Sequence, residues 1–248
     1  MSRDPRELNS AWRQFQHHAY PAPSPALAVH VDRFWVVSWD YAAPYRQKIV
    51  PYPNVHLTFS DDDGAIVHGV SSGHQVKILE GRGGRFGVAF RPGAFRPFLG
   101  ASVSSITDRS IPASEVFGGP LPDPVEVATV EEFLMAHLPE PDPRAEEAVD
   151  IVGRIIAKPD LTRVDAVAAE AGLSVRGLQR LFADHVGVGP KWVIRRYRLH
   201  EVTERLAKGA EIEWAALAAD LGYADQAHFV RDFRAMFGES PTWYAQRY

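Results

Sequence analysis

Two stretches in the last third of the chain repeat one pattern of apolar and polar positions. The first is centred on Gly172 and ends at Trp192, and the second is centred on Gly222 and ends at Trp243. The glycines are 50 residues apart and the tryptophans 51, so the second stretch contains one extra residue after its glycine. An internal repeat of this kind indicates one supersecondary unit that is used twice.

Each repeat predicts a helix, a tight turn and a second helix. The glycine ends an alanine-rich first helix, where a left-handed backbone is easily adopted only by glycine. Ser174 and Asp225 are predicted N-caps of the second helices, which carry apolar residues at spacings of three and four on one face. This is the pattern of a helix-turn-helix, whose second helix enters the DNA major groove.

The opposite faces of the second helices are polar and supply candidate base contacts. Arginine can bind guanine O6 and N7, and glutamine can bind adenine. The candidates are Arg176, Gln179 and Arg180 in the first repeat, and Gln226, His228, Arg231 and Arg234 in the second. Two alternatives stay open, namely a solvated helix face and internal ion pairs for Arg180 and Arg231. We expect Trp192 and Trp243 to pack in the core and not to stack on bases.

The segment between the repeats predicts one long helix from Lys191 to Lys208. Its length would be about 27 Å at 1.5 Å per residue, and one turn of DNA is about 34 Å. A rod of this size could place two recognition helices in successive major grooves. Its early basic cluster supplies the expected phosphate contacts, which are Lys191, Arg195, Arg196 and Arg198.

These motifs resemble a known family. Gly-Leu-Ser followed after three residues by Leu-Gln-Arg-Leu-Phe, and Leu-Gly-Tyr followed by Gln-Ala-His-Phe-Val-Arg-Asp-Phe-Arg, resemble the C-terminal DNA-binding domain of AraC/XylS-type transcription regulators. The resemblance extends from Asp160 to Tyr248. It departs from the family pattern at Tyr223 and Arg234, where phenylalanine and lysine are commoner. It implies a cytoplasmic regulator that binds double-stranded DNA.

The N-terminal half reads as short strands separated by glycine-rich turns, which favours a β-sandwich or small barrel, with a cupin-like form included. The overall class is therefore α+β, with an all-α C-terminal part. The expected strand-like segments are Ala26–Tyr41, Lys48–Ser60, Ala65–Val70, Val76–Leu79 and Phe86–Phe90. The expected helices are one around Asn9–His18, then Ala94–Leu99, Thr129–Leu138 capped by Thr129, and Arg144–Ala157.

Alternating prolines at 139–143 predict an extended linker. They divide the chain into a β-rich domain at 1–138 and a DNA-binding domain at 144–248. The strings Arg33-Phe34-Trp35 and Phe90-Arg91-Pro92-Gly93-Ala94 resemble a sensor domain found ahead of AraC-type motifs. This resemblance implies that the first domain senses a small-molecule effector or pairs protomers.

A ligand pocket is expected inside the β-rich domain, because small-molecule sites are largely apolar with a few polar groups. The candidate lining residues are Trp35, Trp39, Tyr45, His56 and Phe90. The alternative is that each of them simply fills the core.

Composition limits these readings. The net charge is −4, and the chain from Ala145 onward has 14 basic and 15 acidic side chains. The usual basic footprint of a DNA-binding domain is therefore missing. The DNA hypothesis depends on the motifs and on a local patch, and help from a second protomer in a homodimer is expected.

Some functional classes are disfavoured. The chain has no cysteine, which excludes thiolate catalysis and cysteine-based zinc sites. Its ten histidines have no tight ligand spacing, so we expect no metal and no cofactor. No apolar run approaches 18 residues, so no membrane span is expected.

Three hypotheses remain from the sequence. The leading one is an effector-controlled transcription regulator. One alternative is an enzyme of the β-rich domain that is tethered to DNA, although a nucleophile, a metal cluster and paired catalytic carboxylates are lacking. The other is a DNA-binding module whose N-terminal domain only dimerises.

Overall fold

A computed structural model describes residues 15–60, 62, 64–207 and 212–245, without the side chains of 204–207. A β-rich region comes first and helices follow, which confirms the predicted α+β class. No helix in the described ranges is long and apolar enough to cross a membrane.

Six antiparallel strands form one sheet in the order β1-β2-β5-β3-β4-β6. The strands are β1 (Gln16–Ala19), β2 (Val31–Ile49), β3 (His56–Ser60), β4 (Gly64–His68), β5 (Gln75–Phe90) and β6 (Ser110–Pro112). Residues of all six strands line one cavity. The sheet therefore curls around it, a shape nearer to the predicted small barrel than to two stacked sheets.

β5 is a single long strand, so the prediction of two short strands separated by glycines was wrong. In the pairing of β2 with β5, Trp35 faces Gly87 and Trp39 faces Gly83. A Cβ atom on either glycine would overlap the facing indole ring. These glycines thus make room for tryptophans on the neighbouring strand and do not break the strand.

Ten α-helices are described, and a 3-10 turn at Val103–Ile106 lies after the first of them. They are α1 (Arg96–Leu99), α2 (Ser114–Phe117), α3 (Val127–Ala136), α4 (Pro143–Ala157), α5 (Val164–Glu170), α6 (Val175–His185), α7 (Pro190–Ala207), α8 (Trp214–Asp220), α9 (Gln226–Phe237) and α10 (Pro241–Ala245). We call α5–α6 the first motif and α8–α9 the second motif.

Two predicted elements need correction. Helix α3 begins at Val127, and Thr129 is its third residue, whose hydroxyl accepts a hydrogen bond from the Glu126 backbone N–H at 3.1 Å. A helix was expected around Asn9–His18, but Gln16–Ala19 is strand β1, since it pairs with β2. Residues 9–14 lie outside the described ranges.

The described residues form two hydrophobic cores. The larger one runs from the sheet, where it contains Leu57, into the first motif, where it contains Phe182. The smaller one belongs to the second motif, with Phe229 and Phe233 at its centre, and includes Val50 from the end of β2. The first motif therefore shares its core with the sheet, whereas the second motif has a core of its own.

The predicted linker ends in regular structure. Pro143 begins α4, and the Asp142 carboxylate caps it by accepting hydrogen bonds from the backbone N–H groups of Arg144 and Ala145. Asp142 also lies 3.7 Å from Arg96 Nη1 and 3.9 Å from His185 Nδ1. The division at 139–143 into two domains stays a prediction.

Candidate DNA interface and cavity

The two motifs have matching local geometry. Gly172 and Gly222 adopt left-handed backbones, with φ of 67° and 69°. Ser174 caps α6 by accepting a hydrogen bond from the Gly177 N–H at 3.0 Å, and Asp225 caps α9 in the same way from the His228 N–H at 2.7 Å. Both predicted turns and both predicted caps are confirmed, so each second helix begins at a fixed residue.

The first recognition helix, α6, exposes its predicted base-contact residues. Arg176, Gln179 and Arg180 are all exposed, whereas Leu178 and Phe182 are buried. This separation of faces leaves a polar surface at the beginning of α6, which is the part that a helix-turn-helix presents to bases.

The second recognition helix, α9, presents three of its four predicted residues. Gln226, Arg231 and Arg234 are exposed. His228 is half-buried, with its Nε2 at 3.8 Å from Asp232 Oδ2 and its ring edge-on to Tyr223 at 5.2 Å. The side chain of His228 is therefore turned toward its own motif.

The basic residues of the linking helix α7 differ in their exposure. Lys191 is exposed. Arg195 is half-buried and its Nη1 lies 3.2 Å from Asp232 Oδ1 on α9. Arg198 packs over the Tyr223 ring at 5.2 Å, and burial lowers the pKa of Arg198. Burial raises the pKa of Tyr223, because it disfavours the charged phenolate. Arg195 and Arg198 thus help to hold the second motif on α7.

Arg196 contradicts the prediction of a phosphate contact, because its side chain is 0% exposed. Its Nε–H donates to the backbone carbonyl of Pro51, and its guanidinium lies 3.9 Å from the centre of the Tyr52 ring. A desolvated cation–aromatic contact is worth about 2 kcal/mol. The guanidinium is therefore a packing element between α7 and the sheet region, and a DNA phosphate cannot reach it in this arrangement.

A cavity of about 480 Å³ lies on the inner face of the sheet. Trp35, Trp39 and His56 line it, as predicted from the sequence. Trp35 Nε1 donates to His56 Nδ1 at 3.3 Å, so neutral His56 carries its ring proton on Nε2. The alternation along β3 explains the placement, because Leu57 is buried in the core while His56 and Thr58 line the cavity.

Two predicted lining residues lie elsewhere. Phe90 belongs to the core face of β5 and packs on Phe95, with the ring centres 4.7 Å apart. Tyr45 stacks on Tyr41 at 4.7 Å and is not among the residues that line the cavity. The strand register shifts between Tyr41 and Tyr45, so counting alternate positions through this point gives the wrong face.

The cavity wall also contains polar side chains that the sequence analysis did not identify. Hydrogen bonds between them fix their positions. Gln16 Nε2 donates to the Tyr41 hydroxyl at 2.8 Å and to Gln47 Oε1 at 2.9 Å. The His68 ring is held between Thr58 and Ser110, at 2.8 and 2.7 Å. Strand alternation was the sequence signal for Thr58 and His68, whereas Gln16 and Gln47 are brought to the wall by the pairing of distant strands. Within the described ranges, no three histidine or acidic side chains are arranged as metal ligands.

Charged groups at the cavity are balanced in number. The basic lining residues are Lys77, Arg85 and Arg109, and the acidic ones are Asp62, Glu80 and Asp108. The wall continues through Val50, Pro51 and Tyr52, the same segment that covers Arg196. The cavity and the helical region therefore share one stretch of backbone.

Comparison with known proteins matches both halves of the chain. Residues 167–247 match a family described as a helix-turn-helix domain, which confirms that prediction, and residues 20–112 match a domain of unknown function, DUF6597.

Individual relatives are transcription regulators by name. The transcriptional activator NphR of Rhodococcus sp. is 27% identical over 214 residues, covering 83% of this chain and 58% of NphR. The Msm operon regulatory protein of Streptococcus mutans is 26% identical over 117 residues, covering 46% of this chain and 42% of that protein. The chain thus spans about half the length of these two relatives.

A solved structure also matches part of the chain. A probable AraC family transcriptional regulator from Rhodopseudomonas palustris is 32% identical, with a TM-score of 0.35, and the match covers 39% of this chain and 92% of that one.

Proposed function

We propose that this chain, which belongs to the AraC/XylS-type transcription regulators, binds double-stranded DNA at specific sequences and controls transcription. One observation carries the proposal. Two capped recognition helices, α6 and α9, each expose arginine and glutamine side chains. Side chains of these types can distinguish base pairs in the major groove.

The exposed residues divide into two roles. Base contacts are assigned to the recognition-helix set, which is Arg176, Gln179, Arg180, Gln226, Arg231 and Arg234. Phosphate contacts are assigned to Lys191 and to Arg195, which is half-buried and also pairs with Asp232. His228 is left out of the base-contact set, because it is half-buried beside Asp232 of its own helix. Phosphate contacts fix the register of a protein on DNA, and base contacts give the specificity.

The cavity supports control by a small molecule, with residues 1–138 as the sensing domain and 144–248 as the reading domain. A volume of about 480 Å³ lies within the usual range for ligand pockets. Two indole rings and a balanced set of charged groups favour an uncharged molecule with a flat face. Trp35, Trp39 and His56 would contact it.

We assign the chain no catalytic step and place it in the cytoplasm. A homodimer would double the DNA contacts, which compensates for the near-neutral reading domain. Selection of binding sites from random DNA tests the function, because it should return two short conserved segments about one helical turn apart. A variant with Arg176, Arg180 and Arg231 replaced by alanine should enrich no sequence. Enrichment of the same sites by this variant would contradict the proposed contacts.

A thermal-shift screen of uncharged aromatic and sugar-like compounds tests the sensing role. A compound that binds the native state raises the melting temperature by mass action. The rise should disappear in Trp35→Leu and persist in Arg163→Ala, whose exposed side chain lies outside the cavity. A rise that persists in Trp35→Leu would place the compound elsewhere.

A further inference from the structure

The second motif contacts the sheet region within residues 48–74, and the segment from Val50 to Tyr52 is the most buried part of this attachment. Val50, at the end of β2, is 0% exposed and belongs to the core of the second motif, together with Leu199 and Val202 of α7. The first motif has a different attachment, because it shares the core of the sheet itself. The two motifs are thus held by different parts of the same region.

Arg196 is the centre of the attachment of the second motif. Its Nε–H donates to the Pro51 carbonyl, and its guanidinium lies between the rings of Tyr52, at 3.9 Å, and Phe237, at 5.6 Å. In the described structure the two Nη atoms are buried and have no hydrogen-bond partner. The Tyr52 hydroxyl lies 3.4 Å from His200 Nδ1, one turn further along α7.

Further contacts lie on the same side. Lys48 forms an ion pair with Glu239, just after α9. Trp192 Nε1 donates to the Ser72 carbonyl at 2.9 Å. The His74 ring occupies the space beside Gly238, where a Cβ atom would overlap it. All of these contacts join α7 or the end of the second motif to residues 48–74.

The first motif is held from the other side. Ser102 Oγ donates to the Ala183 carbonyl at 3.0 Å, and Thr107 Oγ1 donates to the Gly187 carbonyl at 2.6 Å. A Cβ atom on Gly187 would overlap Val103. The sheet region therefore contacts each motif at a different place, and α7 packs against both motifs between these two attachments.

We propose that the joint formed by Val50, Pro51, Tyr52 and Arg196 sets the position of the second motif relative to the first, and thereby determines which spacing of DNA segments the protein accepts. The proposal rests on the DNA-binding function proposed above. Two recognition helices fit successive grooves about 34 Å apart. One inserted base pair moves a segment by about 3.4 Å and rotates it by about 35°, since 10 to 10.5 base pairs make a turn.

Arg196→Met isolates the joint. Methionine keeps a long side chain in the space beside Tyr52 but removes the charge and the hydrogen bond to Pro51. The substitution leaves no unpaired buried charge, because the partners of Arg196 are a carbonyl and two aromatic rings. Tyr52→Leu is the second variant, because it removes the ring and leaves Arg196 intact. Tyr45→Leu is the matched control, since Tyr45 stacks on Tyr41 of the same strand and is not part of the joint.

The test compares the affinity for the selected DNA site with the affinity for the same site carrying one inserted base pair between its segments. Wild type and Tyr45→Leu should prefer the original spacing strongly and equally. In Arg196→Met and Tyr52→Leu the preference should fall by at least about fivefold, while binding to the original site persists. Retention of the wild-type preference by both variants would overturn the proposal.

Hydrogen exchange of backbone amides tests the attachment of the second motif without DNA. In wild type, amides of α9 should exchange faster than those of α6, because the second motif has the smaller separate core. In Arg196→Met the α9 amides should exchange at least about fivefold faster, with α6 unchanged. Equal exchange of α6 and α9 in wild type would overturn the proposal even if no variant folds. If no DNA sequence binds, the proposed function fails, while exchange still reports on the joint.

Discussion

The indole of Trp35 occupies the space that a side chain on Gly87 would need, because the two residues face each other across β2 and β5. Trp39 and Gly83 repeat the arrangement four positions away. Two flat aromatic surfaces on the cavity wall thus depend on two glycines in the neighbouring strand.

Gly87→Ala should destabilise the protein by about 1–3 kcal/mol, because the added methyl group overpacks the Trp35 ring. Denaturant unfolding followed by circular dichroism measures the change. Gly84→Ala is the control, since its Cβ would meet only the Val37 carbonyl oxygen at 3.5 Å, an ordinary contact. Equal stability of the two variants would show that the ring moves aside freely.

Arg180→Ala or Arg231→Ala should weaken binding to the selected DNA site by about 1–3 kcal/mol and relax the preference at one base position. The reason is that both side chains are exposed on recognition helices. Gel shifts against a panel of single-base variants measure both effects. Arg163→Ala should leave them unchanged, because Arg163 precedes α5 and pairs with Asp165. Unchanged binding by both recognition-helix variants would remove the contact assignment.

Lys191→Ala should reduce the slope of the logarithm of affinity against the logarithm of salt concentration by about 0.9, the value for one lost phosphate contact. Arg196→Met should leave this slope unchanged on the original site, because Arg196 is buried against Pro51 and Tyr52. Fluorescence anisotropy titrations at several salt concentrations give the slopes. A lower slope for Arg196→Met would mean that Arg196 reaches DNA after all.

Acid should destabilise the fold through His185. Burial lowers the pKa of His185 below its ordinary value of 6.5, although the carboxylates of Asp142 and Asp184 oppose the shift and Arg96 and Arg144 add to it. The unfolded chain then binds the proton first as pH falls, so stability is lost below about pH 6.5.

The melting temperature of wild type should therefore drop between pH 8 and pH 5.5, and the drop should be smaller in His185→Gln. His30→Gln is an informative companion, since burial also lowers the pKa of His30. Scanning calorimetry at both pH values provides the measurement. The same drop in wild type and His185→Gln would exclude His185 as its source.

The helical part was predictable because its signals are local. The left-handed turns at Gly172 and Gly222 and the caps at Ser174 and Asp225 each depend on residues within one helical turn. Arg196 shows that residue type alone can mislead, because a basic side chain was expected to contact phosphate but is buried. Val193 and Leu199, three positions before and after it, are buried, so the helical period already placed it on the inner face.

The sheet was less predictable because its determinants are distant in sequence. The glycines of β5 indicate turns when read alone, and only the pairing with β2 shows that Gly87 accommodates Trp35. The register shift between Tyr41 and Tyr45 contains Pro44, which signals an irregular strand but does not give the size of the shift. The inner residues of β3 were found by alternation, whereas Gln16 and Gln47 required the strand order itself.

The backbone from Val50 to Tyr52 has the cavity on one side and the second motif on the other. The aromatic and imidazole groups proposed to contact a bound molecule lie outside this segment: Trp35 and Trp39 are earlier, on β2, and His56 is on β3. If the cavity senses a ligand as proposed, chemical selectivity and the response of the second motif are encoded by separate residues. Substitutions in the tryptophan and histidine wall could redirect such a protein to another inducer while leaving its response to occupancy intact.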